Sequence, residues 1–378
     1  MAELTPGGGE GRFFLPGPTE VRPEILQAQA RAMIPHRGKD FVALMTRLQE
    51  GLKAVFVTAR PVLVSTSSAT GLMEAGVRNS GAGPVLSLVN GAFSERFAEI
   101  ADACGRQVDR LEVPWGEAHD PDAVRAALTE RAYDAVTLVH SETSTGALNP
   151  VAEIAAVVRA HGGPLLLVDS VTGIGGADFL TDAWGVDFVL TGSHKAMALP
   201  PGLAFGVASE RLLEVAARTP GRGHYFDLVS FAENAAKHQT PTTPALTLLY
   251  ALEAQLERIG AEGMEARWAR HQAMARRTWG WVETSEERTG VPMDVLAPEG
   301  ARSPTVTAVA PRGGGDGSVT PAAVVSAMAR RGWVVGGGYG KVKDTTFRIG
   351  HMGDHTLDEL EAVLAELDAV LEAPAGRR

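Results

Sequence analysis

The sequence lacks most of what would send it to a membrane, a secretory route or a nucleic acid. It has one cysteine, Cys104, so no internal disulfide can form, and a cytoplasmic location is expected. No apolar run approaches the ~20 residues needed to cross a bilayer. The opening MAELTPGGGEGR has neither a basic nor an apolar leader region, so no signal peptide is expected. Positive charge is in deficit, 35 Lys and Arg against 45 Asp and Glu, and the net −10 argues against nucleic acid or an anionic membrane as partner. The ten histidines are scattered without metal-ligand spacing, and no metal site is expected. Internal repeats are absent as well.

What is present is an ordinary globular composition, 45% hydrophobic and 21% charged, over 378 residues. That length suggests two domains. Residues 1–12 read as a Gly-rich tail, and the prolines of Phe13-Phe14-Leu15-Pro16-Gly17-Pro18-Thr19 keep that stretch extended. From Pro61, short apolar runs alternate with helical spacing: strands at 62–64, 85–89, 108–113 and 135–139, with helices between them. This is the pattern of an α/β fold, a mainly parallel sheet covered by helices. After Ala208 the alternation stops. Residues 224–236 read as irregular, and long helical stretches run to about 259 and from 263 to 284. The remainder predicts a smaller α+β C-terminal domain. The expected division is 1–22 as an extended N-terminal segment, 23–258 as the large domain and 259–378 as the small one. The Gly-rich pieces at 312–317 and 336–340 read as loops without the flanks of a dinucleotide fingerprint.

One stretch, Pro164 to Phe205, carries the chemistry. Its first apolar run ends at Asp169, and its second, Val186 to Leu190, ends in Thr191-Gly192-Ser193-His194-Lys195. A carboxylate and an amine thus stand past the ends of neighbouring strands, where open α/β sheets bind ligands. Pyridoxal phosphate suits that pair: Lys195 would form the Schiff base, and Asp169 would keep a proton on the pyridine nitrogen. Taken singly, the aspartate is as readily a helix cap and the lysine a solvated charge.

Other candidates gather around this pair. The loop Ser68-Ala69-Thr70-Gly71 opens a helix whose amides can cradle a phosphate, although small polar residues also merely cap helices. Phe93, after Asn90-Gly91, is either an apolar staple or a face for the cofactor ring. The Thr143 hydroxyl can reach a ring oxygen or shape a turn. His194 can bond the phosphate or lie at the surface. Arg348, between apolar neighbours in a strand, either pairs with an acid or clamps a substrate carboxylate. No second arginine stands out for a distal carboxylate, so small neutral substrates are favoured.

With these motifs assembled, from Pro16-Gly17-Pro18-Thr19 through Asn90-Gly91-Ala92-Phe93, His140 to Gly146, Asp169-Ser170-Val171, Ser193-His194-Lys195, Thr240 to Pro244 and Phe347 to Gly353, the chain resembles the class V, fold-type I pyridoxal phosphate enzymes. It is most similar to the alanine–glyoxylate and serine–glyoxylate (serine–pyruvate) aminotransferases. The resemblance implies a homodimer with shared active sites, with Lys195 and Asp169 catalytic. It implies Ser68, Ala69, Thr70, Phe93, Thr143, Val171 and His194 at the cofactor, and Thr243 reaching the phosphate of the second subunit. The Gly17 backbone and Arg348 would bind the substrate carboxylate. The implied reaction moves an amino group from alanine or serine to glyoxylate or pyruvate. Two positions depart from the family: His194 stands where glutamine is common, and Phe93 where several members have tryptophan.

The alternatives are another class V enzyme, such as a lyase or an aminotransferase for a different amine, and a non-catalytic protein that keeps the fold for binding. A desulfurase needs a mobile cysteine at the substrate, whereas Cys104 lies on the apolar face of a helix with Phe97, Ile100 and Ala101.

Overall fold

The computed structural model describes residues 11–312 and 319–372. The Gly-rich tail up to residue 10 and the Gly-rich piece at 313–317 lie outside them. The larger of two main sheets has seven strands, in the order Leu63–Ser65, Ala204–Ala208, Phe188–Gly192, Leu165–Asp169, Ala135–Val139, Val85–Val89 and Val108–Glu112. Only Ala204–Ala208 runs against the rest, pairing antiparallel with both neighbours. The mainly parallel sheet read from the alternation is therefore present.

Its inner strands are apolar on both faces because helices cover both, whereas the edge strand Val108–Glu112 carries charged residues. Successive side chains point to opposite faces of a strand. Leu166 and Val168 join a core with the helices Lys39–Phe56, Pro121–Glu130, Val151–His161 and Leu246–Glu262. Leu165 and Leu167 join a second core with the helices Ala69–Asn79, Ala92–Ala103 and Glu210–Arg218. The chain reverses its direction across the sheet between Val85–Val89 and Ala135–Val139. The carboxyl ends of these two strands and of Leu165–Asp169 open the crevice where such sheets take ligands.

The smaller sheet has five strands, ordered Phe13–Phe14, Val334–Gly337, Phe347–Ile349, Thr307–Pro311 and Met293–Val295. The extended N-terminal segment is thus an edge strand, parallel to Val334–Gly337. Two readings need correction: Gly336 and Gly337, read as loop, end the strand Val334–Gly337 and pair with Arg348 and Phe347, and residues 224–236 contain the helix Leu228–Ala235. The Asp227 carboxylate accepts the N–H groups of Val229 and Ser230 at its start, and Leu228, Phe231 and Ala235 bury one face.

The helix Met264–Glu283 joins the two sheets. Arg267 on it is 1% exposed. Its guanidinium donates to the carbonyls of Gly175 and Ala196 and pairs with Asp354 at 2.9 Å. One buried cation therefore fixes the loop after Lys195 to the loop that follows the strand of Arg348.

Candidate active site

Lys195 lies in the loop after Phe188–Gly192, 6% exposed. Its Nζ donates to the Pro16 carbonyl, and the Thr19 hydroxyl donates to the Lys195 carbonyl at 2.9 Å. The N-terminal segment thus wraps over the amine. A Cβ on Gly17, whose φ is +115°, would collide with Lys195 Nζ, so only glycine permits this approach. Burial, with the Arg348 charge adding to it, lowers the amine to about 7. Asp169, 3% exposed at its strand end, accepts the Val171 N–H at 2.8 Å. Burial pushes its carboxyl up to about 7.

Both groups line one cavity of about 270 Å³ with Gly17, Ser68, Ala69, Thr70, Phe93, Thr143, Val171 and His194. That is at the small end of ligand cavities. Ser68 is the N-cap of the helix Ala69–Asn79, yet its side chain makes no capping bond. The first turn of that helix therefore meets the cavity as an anion site, and His194, lowered to about 4 by burial, is a neutral neighbour there. The Thr143 hydroxyl is paired with that of Thr172. The Phe93 ring lies 6.0 Å from Lys195 Nζ.

Arg348, 9% exposed, donates to the Gly337 carbonyl at 2.8 Å and the Thr143 carbonyl at 3.1 Å. Among the described residues it has no acidic partner, and burial lowers it to about 10. A buried guanidinium bonded only to carbonyls calls for an anion from outside the chain. Among the described residues Arg348 therefore forms no internal ion pair, and Glu142 acts on it only through its charge.

Thr243 is not among the cavity residues; it is exposed in its loop. Cys104 ends the helix Ala92–Ala103, away from the cavity, and burial raises its thiol. Sequence reading missed Met73, Ser141, Thr172, Arg96 and Tyr339, which also line the cavity. Arg96 is thus an arginine in the cavity wall that did not stand out in the sequence. Its spacing of three from Phe93 on one helix was the available signal. Tyr339 lies in a Gly-rich loop, and nothing local marked it.

The profile of the family Aminotransferase class-V matches residues 24–309. The "Soluble hydrogenase, small subunit" of Synechococcus sp. (strain PCC 6716) is 37% identical, over 94% of this chain and 93% of that one. The structure of an aspartate aminotransferase from Thermus thermophilus is 34% identical with a TM-score of 0.85, over 96% of this chain and 99% of that one. That of an alanine–glyoxylate aminotransferase from Nostoc sp. is 30% identical with a TM-score of 0.89, over 98% and 97%.

Proposed function

The chain belongs to the class-V aminotransferases, and we propose that it moves an amino group from a small amino acid, alanine or serine, to a small 2-oxo acid, glyoxylate or pyruvate, with pyridoxal phosphate held on Lys195. The carrying observation is Arg348, a buried guanidinium with no acidic partner among the described residues; it does not itself line the cavity that holds the Lys195 amine but stands behind its wall, on the Thr143 carbonyl and over the Tyr339 ring.

The residues present fit the cofactor. The side-chain-uncapped helix start at Ser68–Thr70, with His194, suits its phosphate, Phe93 its ring, and Asp169 a protonated ring nitrogen. When bound, pyridoxal phosphate supplies an electrophilic carbonyl and an electron sink for a carbanion. Lys195 Nζ, lowered to about 7, is sufficiently deprotonated at neutral pH to attack a carbonyl and later to take the proton from the substrate Cα. Asp169 supplies the negative charge that favours protonation of the ring nitrogen. Arg348 holds the α-carboxylate in both half-reactions, and the Gly17 backbone closes over it. Thr243, exposed and outside this cavity, serves the phosphate of a second subunit in a homodimer, working in the cytoplasm. The intact Lys195–Asp169 pair disfavours a binding-only role.

Lys195→Ala should abolish the borohydride-reducible link to pyridoxal phosphate and nearly all turnover in a donor screen against glyoxylate and pyruvate. An adduct mapped to another lysine, or a fully active monomer in sedimentation at assay concentration, would contradict the respective assignment.

A further inference from the structure

At the mouth of the cavity the small domain reaches across to the large one through Tyr339. Its ring lies nearly parallel to that of Phe93, 14° between planes and 5.5 Å between centroids. Its hydroxyl accepts a hydrogen bond from Arg96 at 3.1 Å. The Arg348 guanidinium stands over the same ring, 5.6 Å from its centroid. Tyr339 therefore stands between two cations, with Arg96 at its hydroxyl and Arg348 over its ring. The loop that carries it is fastened: Lys341 pairs with Glu95 at 3.7 Å and lies over the Trp115 ring, and Gly340 packs so closely on Trp115 that a Cβ would clash.

Arg96 has no ion pair among the described residues. Its contacts are the Tyr339 hydroxyl and the Phe93 ring, 4.7 Å away. The nearby carboxylates are otherwise engaged: Glu142 accepts from Phe93, Ser94 and Ser144, and Asp169 from Val171. With Arg348 committed to the α-carboxylate, one cation in the cavity wall is left without an anion. A short chain with carboxylates at both ends fits between two such guanidinium groups.

From this juxtaposition we propose that Arg96 and Tyr339 form a second carboxylate subsite at the cavity mouth, which adds dicarboxylic amino acids of aspartate size, and their oxo acids, to the substrates of this site. Arg96 supplies the charge. Tyr339 orients it and walls off longer side chains. The proposal rests on the transaminase reading above. The chemistry is unchanged: the amino group of the dicarboxylic donor is replaced by oxygen from water, and the 2-oxo acid acceptor becomes the amino acid.

The test uses the pyridoxal phosphate-loaded enzyme with glyoxylate as acceptor and compares kcat/KM for aspartate with that for alanine. Arg96→Leu should lower the aspartate-to-alanine ratio tenfold or more, Arg96→Lys should restore part of it, and Tyr339→Phe should lower it severalfold. Calorimetry with succinate, which is not turned over, should show at least tenfold weaker binding to Arg96→Leu, with propionate weakened less. A ratio unchanged across all three variants overturns the subsite. So does a wild type that uses alanine but neither aspartate nor oxaloacetate. A protein that turns over none of these amino acids overturns the transaminase reading instead.

Discussion

The Glu142 carboxylate accepts the backbone N–H of Phe93 at 3.1 Å and that of Ser94 at 3.0 Å. It also accepts from the Ser94 hydroxyl at 3.1 Å and from the N–H and hydroxyl of Ser144. The side chain is wholly buried. One carboxylate thus joins the start of the helix Ala92–Ala103 to the turn that carries Thr143. A Cβ on Gly91 would collide with Glu142, so the backbone comes as close as glycine allows. A negative charge at a helix N-terminus is favourable in its own right.

Glu142→Gln is therefore expected to be costly despite its matched shape. An amide NH2 would face donors that need acceptors. Leaving even one such group unsatisfied costs about 1–3 kcal/mol, which urea unfolding will read. Pyridoxal phosphate should also be held more weakly, since Phe93 and Thr143 lose their common anchor. Unchanged stability together with unchanged cofactor affinity would remove Glu142 from that role.

The Lys195 amine should show its depressed value in the capture of pyridoxal phosphate by the apo protein. Stopped-flow absorbance should follow an apparent midpoint near pH 7, far below the ordinary 10.5 of lysine. Arg348 lowers the amine as a like charge, so Arg348→Leu should move the midpoint up. Asp169 raises it, so Asp169→Asn should move it down. Asp169 is itself pushed up to about 7 by burial, and the wild-type midpoint belongs to the coupled pair. A midpoint near 10 in the wild type would show the amine to be solvated.

Acid should destabilise the fold through its buried histidines. Burial holds His119 and His351 at about 4, His140 at about 3 and His271 well below 6.5. Each stays neutral when folded and takes up a proton when unfolded. Stability is thus full above about pH 6.5 and falls as pH drops toward the folded values. His119 is the cleanest probe, because both of its ring nitrogens are buried without a partner. His119→Leu should leave stability at pH 7 equal or higher by about 1 kcal/mol, and should make the loss between pH 6.5 and 4 shallower in urea titrations. A steeper loss in that variant would reverse the sign assigned to this residue.

Much of this protein is legible in the chain alone. Short continuous apolar runs alternating with helical spacing mark the parallel sheet, because a strand covered by helices on both faces is apolar throughout. Asp169 and Lys195 are legible for the same reason: each stands where an apolar run stops, and strand ends are local features. The helix Leu228–Ala235 is local too, with Asp227 as its cap, but its single buried face is short and was passed over. What only the tertiary structure decided is which distant groups meet. Pro16 and Lys195 are 179 residues apart and touch because a strand of two residues pairs with the C-terminal sheet. Arg348 reads equally as one half of an ion pair until Gly337 and Thr143 are seen to offer it only carbonyls. Arg96, on a helix of the larger sheet, and Tyr339, just past a strand of the smaller one, are 243 residues apart and carry no common pattern. Their meeting is fixed by Lys341 on Glu95 and by Gly340 on Trp115, contacts between loop and helix that no periodicity records.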